Sequence, residues 1–110
     1  MGKAKNTKLY NMLVQYLHSP GRFYVKMSGE VEQDALFVAE IINSLITRQI
    51  WIVSSGMYWA TPHSWKDSKW FFAEKPEVDE DDLLTMVDML DAVQISERDF
   101  ERLWIESISS

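Results

Sequence analysis

Between residues 31 and 62 the hydrophobic period of the chain changes once, and a chain of 110 residues has to build its core around that change. In the first part Ala35, Val38, Ile41, Ile42, Leu45 and Ile46 recur at spacings of three and four, the stripe of an amphipathic α-helix. Ser28 stands where an N-cap would. Glu30, Glu32 and Asp34 put negative charge at the positive end of a helix dipole, and Arg48 stands near the other end, so a helix over 31–48 is expected. In the second part Ile50, Trp51, Ile52 and Val53, then Met57, Tyr58 and Trp59, flank Ser54-Ser55-Gly56. Glycine takes positive φ in a tight turn without strain, so this part predicts a β-hairpin.

With 46% hydrophobic residues the length suits one domain with one core. Cysteine is absent, which excludes disulfides, a thiolate metal site and a cysteine nucleophile. No run approaches 18 consecutive apolar residues, so no membrane span is expected. The basic start MGKAKNTK lacks the apolar stretch of a signal peptide, and Asn6 stands where a myristoylation signal has Ser or Thr. A cytoplasmic protein, or one of the host-cell cytoplasm if phage-encoded, fits these features.

Charge is divided unevenly. Residues 1–73 carry eight basic and five acidic side chains, whereas residues 74–110 carry three basic and twelve acidic ones. The domain over 1–110 thus has a basic part, 1–73, read as α-β-α-β-β, and an acidic helical part, 74–110.

The remaining elements follow from period and punctuation. Residues 1–6 read as a frayed tail. Leu9, Met12, Leu13, Tyr16 and Leu17 predict a first helix that Pro20-Gly21 ends. Phe23, Val25 and Met27 alternate with Arg22, Tyr24 and Lys26 as in a strand. Lys69–Ala73 can add a strand to the hairpin. Asp79 to Asp82 open a helix whose face holds Leu83, Val87, Leu90 and Gln94, and Ser96 with Asp99 resembles a capping box for a last helix holding Phe100, Leu103, Trp104 and Ile108. The expected architecture is α+β: a small antiparallel sheet of three to four strands packed on the central helix, with a C-terminal helical pair.

No motif compels a reaction. His18 and His63 each stand beside a proline-containing turn without a triad or HExxH partner, and the acids from Glu77 to Asp82 lack the glycine and terminal Glu of an EF-hand loop. No catalytic residue, cofactor or metal is therefore assigned. Two sets of residues suit a partner instead: an acidic face of Glu77, Asp79, Glu80, Asp81 and Asp82, and an aromatic and basic loop of Trp65, Lys66, Lys69 and Trp70. Within the wider set Trp51, Tyr58, Trp59, Trp65, Trp70, Phe71 and Phe72, some rings belong to the core, and Trp65 is the one expected to be partly exposed.

The order of elements from about Leu9 to Thr61, ending in TRQIWIVSSGMYWAT as two wing strands, resembles a winged helix-turn-helix domain. That resemblance implies DNA binding, with Lys3, Lys5, Lys8, Arg22, Lys26, Lys66 and Lys69 as the side chains available to phosphates. The expected helix carries Glu32, Asp34 and Glu40 against Arg48 alone, which ranks DNA second. The first expectation is a non-enzymatic, acidic interaction or regulatory protein that binds a protein partner and can form a homodimer. Inhibition of a nucleic-acid-handling enzyme, as small phage and plasmid accessory proteins do, is a narrower form of it.

Overall fold

The computed structural model describes residues 6–110. Of the basic tail expected over 1–6, Lys3 and Lys5 lie outside the described residues. Asn6 is the N-cap of α1 (Thr7–His18): its side chain accepts the Leu9 N–H at 2.9 Å. After Ser19-Pro20-Gly21 come β1 (Arg22–Ser28), β2 (Leu36–Ile42), β3 (Leu45–Val53), β4 (Gly56–Thr61) and β5 (Ser64–Trp65). A 3-10 turn (Ser68–Trp70), α2 (Glu80–Met89), β6 (Val93–Ile95) and α3 (Glu97–Ser109) complete the chain. The strands form one antiparallel sheet in the order β5-β4-β3-β2-β1-β6. The α+β class holds, with six strands in place of three or four.

The central helix expected over 31–48 is not a helix. Its residues form a loop, then β2, the two-residue turn Asn43-Ser44 and the start of β3. Asn43 and Ser44 both have positive φ, 52° and 67°, which is what a two-residue hairpin turn matched to strand twist requires. The helical spacing misled because β2 is a central strand covered on both faces, so Val38, Ala39 and Ile41 are all fully buried and its one charged residue, Glu40, is buried as well. Ser28 ends β1 rather than capping a helix, and Glu30 and Asp34 occupy left-handed conformations in the loop. In consequence residues 9–61 run α-β-β-β-β, with no helix where a winged domain has its recognition helix.

Each face of the sheet has its own cover. On one, Phe23, Val25, Met27, Ala39 and Ile41 pack with Leu13 and Leu17 of α1 and Leu83 and Val87 of α2. On the other, Tyr24, Val38 and Ile50 pack with Phe100 of α3, flanked by Ile95, Leu103 and Trp104. The expected C-terminal helical pair is thus divided: α2 and α3 lie on opposite faces, and the residues between them pair with β1 as the edge strand β6. Gln94 lies in β6 rather than on α2. No helix among the described residues is long and apolar enough to cross a membrane.

Candidate docking cleft

Two helices do not cover the whole of their face. Beyond α2 the sheet turns aromatic, and the cover is residues 68–78, which run across β3 without forming the strand expected over Lys69–Ala73. Two attachments hold this strap. The Gln49 side chain, buried in β3, donates to the Phe71 carbonyl at 3.0 Å and accepts the Ala73 N–H at 2.9 Å, standing in for the backbone of a neighbouring strand. Further on, Ile46 N–H donates to Pro76 O and Val78 N–H to Ser44 O, both at 2.8 Å. Pro76 has no N–H to extend the ladder, which keeps the contact to an isolated bridge between Leu45 and Glu77.

Between the strap and α2 lies an apolar cleft of about 610 Å³, within the range of ligand sites in general. Met27, Phe37, Ile46 and Trp51 form its floor, Thr85, Met86 and Leu90 one wall, and Trp70 to Ala73 the other. A row of rings crosses the sheet here: Phe37 meets Trp51 edge-on at 4.9 Å, Trp51 lies 5.4 Å from Trp70, and Trp70 stacks on Tyr58 at 5.7 Å. The register explains this, because Phe37 pairs with Trp51 and Trp51 with Tyr58 across neighbouring strands. Gly29 closes one end. A Cβ there would overlap the Trp51 ring, so glycine is needed for the backbone to approach it.

The mouth is charged. Asp82 accepts from Lys75 Nζ at 3.0 Å and from the Asp79 N–H at 3.0 Å, while Asp79 accepts the Asp82 N–H in return, closing a capping box on α2. Partial burial would raise the Asp82 carboxyl, but the Asp79 backbone and Lys75 outweigh it and hold the group below its ordinary range; the same contact raises the Lys75 ammonium. Glu74 and Glu77 also line the cleft, and among the described residues no ion pair engages either carboxylate. At the opposite end Lys69 Nζ lies 5.3 Å from the Trp70 ring.

Residues that the sequence assigned to two separate surfaces therefore meet. Glu77 and Asp82 of the acidic set, with Lys69 and Trp70 of the aromatic set, line one cleft. The others point elsewhere: Asp79 caps α2, Glu80 meets His18 Nε2 of α1 at 3.1 Å, and Asp81 is exposed in the first turn. Trp65 is 47% exposed at the β5 edge. Lys66 turns to the far face, where its Nζ lies 2.9–3.0 Å from Met57 O, Ser107 O, Ser110 O and Ser110 Oγ and ties the end of α3 to β4. The sequence placed Met27 on a strand and Met86 on a helix but assigned neither of them, nor Phe37 or Gln49, to a binding site. One available signal was Gln49, a lone amide inside a β-branched and aromatic run.

The opposite face holds a closed polar cluster. A β-bulge after Glu40 sets two β3 residues against it, so Arg48 Nη2 reaches Glu40 at 2.6 Å while Thr47 Oγ1 donates to the same carboxylate at 2.7 Å. Arg48 also forks to Glu101 of α3, at 3.0 and 2.5 Å, and lies over the Phe100 and Trp104 rings. Burial would raise the Glu40 carboxyl, but bonds from Arg48 and Thr47 win and lower it; Arg48 lowers Glu101, and its own pKa is raised by both carboxylates. The Tyr24 hydroxyl is buried beside Glu40 with no hydrogen bond of good geometry, and burial raises its pKa. An arginine held between carboxylates stays charged, so this cluster is a structural lock for α3 rather than a proton donor.

Among the described residues no three His, Cys, Asp or Glu side chains converge on a metal position. Searched against protein-family models, curated proteins and solved structures, the chain matches none of them.

Proposed function

We propose that this protein is a non-enzymatic interaction protein that holds a segment of a partner polypeptide in the cleft between α2 and the strap. The observation that carries the reading is the row of Phe37, Trp51, Trp70 and Tyr58 leading into apolar space that the chain's own core leaves unfilled. Aromatic anchors beside a concave apolar floor are what protein hot spots use. Duplex DNA ranks below a polypeptide because several cations of the basic part are engaged within the chain: Arg48 with Glu40 and Glu101, Lys66 with the end of α3, and Arg22 with Glu97 at 3.7 Å.

The test is selection of a displayed random-peptide library on the folded protein, followed by binding of the selected peptides to Thr85→Phe and Trp70→Ala. Thr85 is exposed on the α2 wall, so the bulkier ring narrows the cleft without entering the core. Peptides that lose about tenfold in affinity to both variants support the reading. Peptides indifferent to both changes, or no selection at all, refute it.

A further inference from the structure

We propose that the cleft selects a segment in which an apolar anchor is flanked by Lys or Arg, an inference that rests on the cleft being the docking site. At the mouth the charges divide unequally. Lys75 is neutralised by Asp82 at 3.0 Å, leaving Glu74 and Glu77 on the strap as carboxylates without an ion pair among the described residues. Lys69, the other cation of the lining, lies against the Trp70 ring at the far end.

An apolar floor sharpens the effect of those acids. A charge next to low-dielectric surface is screened less than one in open water, so an incoming cation is attracted more strongly and an incoming carboxylate repelled more strongly. Phe71, 47% exposed and near Glu74 in the chain, offers a ring face against which the stem of an Arg or Lys can lie while its head meets the carboxylate. The discrimination is therefore two-sided: the acids favour basic flanks and exclude acidic or phosphorylated ones.

Three fluorescein-labelled peptides test this by anisotropy against the full chain, each with a Leu-Trp-Leu core flanked on both sides by Arg, by Gln or by Glu. The expected order is Arg, Gln, Glu, with about tenfold between the first two at low salt and a smaller gap at high salt. Glu74→Lys with Glu77→Lys, both at exposed positions, should reverse the order while circular dichroism stays unchanged. Equal affinity of the Arg and Gln peptides, or an Arg preference that survives the double substitution, overturns the charge selection and leaves docking intact if Trp70→Ala still weakens the Gln peptide. Loss of all three peptides together refutes docking, and the charge selection with it.

Discussion

The two faces of the sheet solve the same covering problem differently. Under α3 the cover is a regular helix: Phe100 is fully buried, Trp104 packs on Trp59, and Arg48 locks the helix to β2 and β3 through Glu40 and Glu101. On the α2 face, past the helix, the cover is an irregular strap held by one glutamine side chain and one isolated bridge. The first arrangement excludes water and fixes orientation. The second leaves apolar and aromatic surface in reach of solvent, a stability cost more easily understood if another molecule covers it. The sheet is thus closely covered on one side and left partly open on the other.

The sharpest way to break this contrast is Phe100→Ala. Removing a fully buried ring from under α3 should cost about 4 kcal/mol in a urea melt; a loss below about 1 kcal/mol would mean that the α3 face is not sealed. Arg48→Ala comes next, with an expected loss of about 3 kcal/mol because Glu40, only 5% exposed, is left charged without its partner. Adding Glu40→Gln to Arg48→Ala should recover much of that loss, since no buried charge then remains unpaired.

Acid should report on the same lock. The folded-state pKa values of Glu40 and Glu101 are depressed from 4.5, so their contribution is present above that pH and fades as pH falls below it through the folded values. A melting temperature that drops on acidification below about pH 4.5 in the parent, and drops less in the Glu40→Gln and Arg48→Ala double variant, fits this sign. On the cleft face the contrast reverses. Trp70→Ala should cost less than about 1 kcal/mol in the same melt, because the ring is half-buried on an irregular segment, while peptide binding falls about tenfold.

The elements that the sequence predicts well are those whose pattern is local. α1, β1, the Gly56 hairpin and the acid-capped start of α2 each carry their own punctuation, and the structure has all of them. The region 31–48 does not, because its meaning depends on what covers it. A strand buried on both faces loses alternation, a bulge at Thr47 shifts the phase so that Ile46 and Gln49 share a face, and Asn-Ser is a weaker hairpin signal than Asn-Gly. Once that stretch is misread as a helix, β2 is missing and the floor of the cleft with it. The acidic and aromatic sets remained legible because charge and ring content survive any folding of the segments, but their place along one cleft follows only from the pairing of β3 with the strap.

Four of the five tryptophans divide between the two faces and permit one direct test of the central claim. Trp51 and Trp70 border the cleft, Trp59 and Trp104 pack together under α3 at 5.8 Å, and Trp65 stands at the β5 edge. In a ¹H–¹⁵N spectrum titrated with a library-selected peptide, the indole N–H signals of Trp51 and Trp70 should move while those of Trp59 and Trp104 stay in place. Movement of the α3-face pair with Trp51 and Trp70 unchanged would contradict the cleft as the docking site.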